Sequence, residues 1–504
     1  MEGYTEIFAW GLDNCGQLGL GTSIRDKKYS SPVFCSFNIM IREISCGEDH
    51  TGIISDTGHV YCMGNNLNGK LGIGDKQKLY SSSPVLVETL AEFTCVKISC
   101  GWTHTAVVTK EAALFTWGCG EFGALGMGRV DDAWIPVRVM EDVQDVSCGS
   151  RHTGVVARGK LYMCGAGEMG QLGTGKRQSE NMLKLIVNEN VFQVSCGVFH
   201  SGYLTSDGEV WVMGGNSYGQ LGTGNKKSSV HPIRVQIRDG IKLVCASSTL
   251  CLTNDGLYIW GTSVLGEFLN PRKLKVSNSP IIDAALGGSF AVVMDSKGLI
   301  YSWGSNQNGE LGHGDFESKT TPTLIPGLKN KKIKKIAAGG SFVVCLGLEN
   351  MEKRETSKSD YSKNPKTARE YRCYQDDIRN SDRKHEDYFE IPSKLNQNPE
   401  KLRKSDQEFS IMQLKQENQQ LKDSLSWYKN QLDYEKPKIF EETFQQLKET
   451  YISEIKSLKS QLESQTVLQK DLERDLQMAI SHTEKLESSL NQAQNQLKSN
   501  NIQN

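Results

Sequence analysis

Over residues 1–348 the apolar positions come in short alternating or continuous runs, each stopped by a glycine. Leu114-Phe115-Thr116-Trp117 and Leu299-Ile300-Tyr301-Ser302-Trp303 are examples, and their period predicts strands rather than helices. The stopping glycine falls at 11, 64, 118, 165, 214, 261 and 304, at separations of 53, 54, 47, 49, 47 and 43 residues. A Gly-Gln-Leu-Gly copy, such as Gly16-Gln17-Leu18-Gly19, follows most of these strands. A second motif, Ser45-Cys46-Gly47-Glu48-Asp49-His50-Thr51, precedes them and recurs at 99–105, 147–153 and 195–201. Weaker copies lie at 244–250, 285–291 and 337–343, with Thr249, Phe290 and Phe342 read in place of histidine. Asp207-Gly208 and Asp255-Gly256 supply the positive φ of tight hairpins. Each unit is therefore four short antiparallel strands, and a period near 50 predicts an all-β seven-bladed propeller.

The two ends of this array are complementary. It starts with a lone Trp-Gly strand around Phe8 and Trp10 and ends on a strand carrying Phe342 and Val344. Pairing these residues would close the ring and leave no exposed strand edge.

Beyond residue 348 the pattern changes. Residues 349–406 are dense in charge of both signs and poor in aliphatic residues, which predicts a disordered linker. Heptads then appear over 407–436, with Leu414, Asn418, Leu421 and Leu425 in register, and after a break at Pro437 they resume over 438–499. This predicts an α-helical coiled coil, and Asn418 at an a position favours a parallel homodimer.

Composition adds little bias. Lys+Arg 58 against Asp+Glu 59 gives a formal charge of -1, so neither nucleic acid nor an anionic membrane is an expected partner. The Lys329, Lys331, Lys332, Lys334 and Lys335 cluster reads as a solvated loop. No secretory leader is visible, and 13 of the 14 cysteines lie before residue 350 in the repeats. The expectation is a cytoplasmic protein with free thiols, with the nucleus and cytoskeleton as the other compartments consistent with it.

His50, His104, His152 and His200 invite a catalytic or metal reading, but they stand one per unit. A ring would hold them apart, whereas a metal needs its ligands around one ion. They read as loop ties or, with Asp49 and Trp102, as partner-binding residues. The cysteines of the same motif read as small apolar residues. The glycine loops match neither phosphate-binding pattern, so no cofactor and no metal are expected.

Trp-Gly-x4-Gly-Gln-Leu-Gly-x-Gly alternating with Gly-x-x-His-Thr resembles the repeat of the regulator of chromosome condensation family. WD-repeat and kelch propellers fit the pattern less well. The resemblance covers residues 1–348 and implies a seven-bladed propeller. It also implies exchange activity on the GTPase Ran through histidines and aspartates of one face. The near-constant spacing leaves no long insertion to act as a wedge, and no counterpart is expected of the basic N-terminal tail that the family's chromatin-bound member uses, because the first repeat starts almost at Met1. Light-sensing members carry Trp in several copies of the second motif; here only Trp102 does. The residues favour a non-enzymatic scaffold whose propeller binds a protein and whose coiled coil oligomerises. Regulation or nucleotide exchange of a Ran-like small GTPase is the alternative.

Overall fold

The computed structural model describes residues 6–21, 27–37 and 39–348. The linker and both coiled-coil segments, including Leu414, Asn418, Leu421 and Leu425, lie outside these residues. Among the described residues, the strands form seven four-stranded antiparallel sheets. They are the blades of a propeller. Blades 1 to 6 each use four consecutive strands, over residues 41–86, 95–140, 143–187, 191–234, 240–274 and 281–324. Blade 7 combines the Lys332–Ala338 and Phe342–Leu348 strands with Glu6–Leu12 and Lys28–Cys35 from the other end of the chain.

Closure therefore takes two strands from each end. Glu6–Leu12 pairs antiparallel with Phe342–Leu348, setting Gly11 opposite Phe342, Trp10 opposite Val343, Ala9 opposite Val344 and Phe8 opposite Cys345. The Trp10 indole donates to the Glu310 carbonyl of blade 6 at 2.9 Å, which ties the closing strand sideways as well.

There is no central core. Each of seven apolar clusters lies between two neighbouring blades; one joins Ile54 and Leu71 of blade 1 to Ile98 and Trp117 of blade 2. Because both faces of a blade are covered, second strands such as His104–Thr109 are buried at every position. That is why many strands read as continuous apolar runs rather than alternating ones.

The recurring glycine has a geometric cause. The seven glycines that end the third strands all have φ between +95 and +129, and a Cβ on Gly11 would sit 2.4 Å from the Ser341 carbonyl oxygen. No side chain fits there. The last glycine of Gly-Gln-Leu-Gly is coupled to the tryptophan of the next blade: a Cβ on Gly72 would meet the Trp117 indole at 2.7 Å. Blade 5 lacks that loop, and its Gly256–Ser263 and Gly266–Leu274 strands run directly into a tight turn.

Candidate functional site

The four histidines sit at four successive blade boundaries. Each Nε2 reaches a hydroxyl of the next blade: His50 to Thr105 at 2.8 Å, His104 to Thr153 at 2.7 Å, His152 to Ser201 at 2.8 Å and His200 to Thr249 at 2.8 Å. Those hydroxyls themselves donate to the carbonyls of Lys70, Ala124, Gln171 and Gln220. A hydroxyl has one proton, so each imidazole must be the donor, which fixes the Nε2–H tautomer. The Nδ1 atoms of His50, His104 and His152 are then buried lone pairs without a partner among the described residues.

Burial pushes these imidazoles well below 6.5, to about 3 for His50, His152 and His200 and about 4 for His104. Such groups stay neutral near pH 7 and cannot trade protons there. The boundaries also correct one alignment. Cys245 pairs with Thr249 where Cys196 pairs with Ser201, so the blade 5 loop is one residue shorter. Ser248, not Thr249, occupies the histidine place, and Thr249 is the hydroxyl that receives His200.

A different set of residues departs from the repeat. In four blades a side-chain oxygen of the Gly-Gln-Leu-Gly loop accepts the N–H two residues earlier. Gln17 takes Cys15, Gln171 takes Met169, Gln220 takes Tyr218 and Glu310 takes Asn308, at 2.6–2.9 Å. In blades 1 and 2 the place is held by Lys70 and Ala124, which offer no such acceptor. Both loops turn instead through a left-handed residue, Asn68 at φ 58 and Phe122 at φ 59. Asparagine tolerates that region, but a phenylalanine there is strained by roughly 1–2 kcal/mol.

Lys70 reaches toward the same end of blade 1 but stays buried. Its Nζ donates to Asp49 Oδ1 at 2.8 Å and to the Trp102 carbonyl at 3.2 Å, while Asn65 donates to Asp49 Oδ2 at 2.7 Å. Sequence-predicted Asp49 and Trp102 are thus brought together across one ammonium group. Burial alone would raise the Asp49 carboxyl, but the Lys70 charge and the two hydrogen bonds outweigh it and hold the group below its usual range. Glu48 has no such partner. Burial, reinforced by the Asp49 charge, pushes it up to about 7. It lies over blade 7, where a Cβ on Gly340 would be 2.6 Å from its carboxylate.

Trp102 itself is 40% exposed. In the neighbouring loops the Arg151 guanidinium lies 5.4 Å from the Phe122 ring centre. All six residues (Glu48, Asp49, Lys70, Trp102, Phe122 and Arg151) belong to loops at the same end of blades 1, 2 and 3. The arrangement is a surface of charge and exposed aromatic area rather than a pocket for a small molecule. Lys70, Phe122, Arg151 and Glu48 were not singled out from the sequence; the broken Gly-Gln-Leu-Gly copies were a visible signal for Lys70 and Phe122, and nothing comparable marks Glu48 or Arg151.

A closed seven-bladed propeller with these two motifs defines a class, and comparison with known proteins gives the family. Residues 6–345 match the RCC1-like domain, and the chain belongs to that family. It is similar to the ultraviolet-B receptor UVR8 of Arabidopsis thaliana, 30% identical over 300 residues that cover 56% of this chain and 68% of that one. The E3 ubiquitin-protein ligase HERC2 of Homo sapiens is 28% identical over 368 residues, 68% of this chain but 8% of that protein. Among solved structures, Prp20p of Saccharomyces cerevisiae, described with its binding properties to Gsp1p and histones, superposes with a TM-score of 0.63. The match is 22% identical and covers 71% of this chain and 96% of that one. At this identity the likeness is one of fold.

Proposed function

We propose that the propeller is a protein-binding module whose docking face is the loop end of blades 1–3, centred on Trp102. The observation that carries this reading is the coincidence of two broken loops with one exposed tryptophan. The other intact loops are specified by a single Gln or Glu side chain. Its loss in two adjacent blades strains the backbone, makes Lys70 a buried bridge between Asp49 and the Trp102 carbonyl and brings an aromatic ring under an arginine, none of which the ring architecture requires. Tryptophan and arginine are the residue types that dominate binding energy at protein interfaces. The coiled coil over 407–436 and 438–499 pairs two chains in parallel, so that two docking faces act together with gain in avidity. The compartment that suits this role is the cytoplasm, with the nucleus second.

Affinity capture from cell extract with the full chain, unaltered or carrying Trp102→Ala, tests this. The expected result is a protein partner lost from the variant while its thermal unfolding stays put. An unchanged partner set would remove Trp102 from the interface.

A second reading is supported by the fold shared with Prp20p and by the carboxylates Glu48 and Asp49 on the docking face. In it the partner is a Ran-like small GTPase whose nucleotide exchange the propeller regulates. Release of fluorescent nucleotide from a panel of small GTPases decides it. No acceleration by the full chain removes this reading and leaves the docking face standing.

A further inference from the structure

The opposite end of the propeller carries a second built surface. The seven innermost strands line the axis, and every one has a bulge near its start, after the first paired residue in blades 1 to 6 and after the second in blade 7. The residue that follows each bulge faces its neighbours across the channel. Lys335 pairs with Glu43, Lys97 with Asp145 and Lys242 with Asp283. The seventh place is Gln193, which exchanges hydrogen bonds with the Leu243 backbone at 3.1 and 2.9 Å. Charge thus alternates around the axis and cancels. The formal charges of the channel wall sum to zero.

The bulged residues form a ring just outside this neutral wall, and they do not cancel. In blades 4, 5 and 6 they are Phe192, Ile241 and Ile282, which are 43%, 48% and 51% exposed. In the next two blades they are Lys334 and Arg42. Neighbouring inner strands are in contact from blade 4 round to blade 1, so the apolar and basic residues form two adjoining arcs. They meet at a cavity of about 400 Å³ lined in part by Ile282, Lys334, Met294 and Ile336. Lys334 is exposed and makes no ion pair among the described residues, and exposed Lys332 stands beside it in the same strand.

We propose that this mouth is a binding site for a short acidic segment of another protein, which seats one apolar side chain between Ile282 and Lys334. Three large exposed apolar residues in adjacent blades call for an apolar anchor. The unpaired lysines beside them call for carboxylates next to that anchor, by charge complementarity. A nucleic acid fits less well, because four of the seven ring positions, Val96, Phe192, Ile241 and Ile282, are exposed apolar residues. The site is separate from the docking face and lies at the other end of the blades.

Selection of short random peptides against the full chain tests the assignment, followed by fluorescence polarisation on the recovered sequences. Peptides with Asp or Glu flanking Leu, Ile, Phe or Met are expected. Their affinity should fall roughly tenfold for Ile282→Glu and again for Lys334→Glu, and should be indifferent to Trp102→Ala. Both changed residues are exposed, and matching thermal unfolding will show that the variants are folded. Recovered peptides without the acidic–apolar pattern would overturn the proposal. So would peptides that bind both variants as tightly as the unaltered chain, or Lys334-dependent capture of a labelled DNA duplex in preference to any peptide. The indifference to Trp102→Ala separates failure here from failure of the docking face.

Discussion

The boundaries from blade 1 round to blade 5 differ in chemistry from those that complete the ring. At the first four, a serine hydroxyl accepts the next blade's Cys N–H: Ser45 from Cys100, Ser99 from Cys148, Ser147 from Cys196 and Ser195 from Cys245, each at 2.9 Å. The histidine–hydroxyl bonds run alongside. At the remaining three, Val244, Ala285 and Ala337 replace the serine, and Ser248, Phe290 and Phe342 stand at the histidine place. The phenylalanines take the imidazole seat: a Cβ on Gly47 would lie 2.4 Å from the His50 ring, on Gly287 2.0 Å from Phe290, and on Gly339 2.2 Å from Phe342.

Beneath both chemistries runs the same backbone collar. Glu48 N–H donates to the Gly101 carbonyl at 3.2 Å, Gly288 to Gly340 at 3.0 Å and Gly340 to Gly47 at 3.2 Å. The boundary that lacks this bond is bridged by the Ser247 hydroxyl to the Gly288 carbonyl at 2.8 Å. The difference teaches what each layer does. The collar sets the register at six of the seven boundaries, while the seat above it accepts either a directional polar bond or a packed ring. A polar seat also needs a loop carbonyl to take the hydroxyl proton. Blade 5 has no Gly-Gln-Leu-Gly loop, and blade 6 has Ala291 where the hydroxyl would stand.

The largest effect comes from opening the apolar side. Glu6–Leu12 lies between Phe342–Leu348 and Lys28–Cys35, so deleting residues 1–12 strands the outer member of blade 7 and exposes a sheet edge. Such a chain should show no cooperative thermal transition like that of the intact protein. A matching transition would mean that the ring does not depend on closure.

Acid should act next, with the largest shifts on the polar side. Each imidazole is held neutral with its pKa near 3 or 4, while the unfolded chain takes up protons below pH 6.5. The stability they contribute is complete above 6.5 and falls as the pH drops toward 4. The slope approaches about 1.4 kcal/mol per pH unit for each histidine, roughly 5 for four. Glu48 has the opposite sign: its raised carboxyl stabilises below 4.5 and that contribution is lost as the pH rises through 7. Burial raises Asp13, Asp145 and Glu310 in the same sense as Glu48, while the lowered His313 adds to the imidazoles, whose large shifts leave the net slope with the histidines. Urea unfolding between pH 7 and 4 measures it, and a flat profile would contradict the neutral assignment.

Single seats give smaller effects. Phe342→Ala removes a fully buried ring and should cost about 3–5 kcal/mol of unfolding free energy in denaturant titration. His152→Phe carries the apolar solution into the polar side. It should change stability at pH 7 by less than about 1.5 kcal/mol and flatten the acid slope by one proton's share. A loss as large as that of Phe342→Ala would show that the two seats are not interchangeable.

How far the sequence reveals these features depends on what each residue type must do. The glycines at 11, 64 and their equivalents are legible because no other residue tolerates that φ beside a neighbouring carbonyl. The tryptophans are legible because they pack on the glycine of the preceding blade's loop. The channel ring is hidden, since its places hold Glu, Lys, Asp or Gln and become equivalent only through the bulges. The Ser248 and Thr249 exchange is hidden by a one-residue deletion that only strand pairing exposes. The docking face lies between these cases. Lys70 and Ala124 visibly break a motif, but the strained Phe122 turn and the Lys70 bridge between Asp49 and Trp102 follow only from the geometry.

The central claim is that departures from the repeat, rather than the repeat, carry the binding function. It is tested most directly by restoring the repeat. A full chain with Asp49→Asn, Lys70→Gln and Ala124→Gln returns both loops to the form seen around Gln17 and Gln171 without leaving a buried charge unpaired. Quantitative capture of the Trp102-dependent partners by this variant should fall to background while its thermal transition matches the unaltered chain. Recovery of the same partners at unaltered levels would contradict the claim.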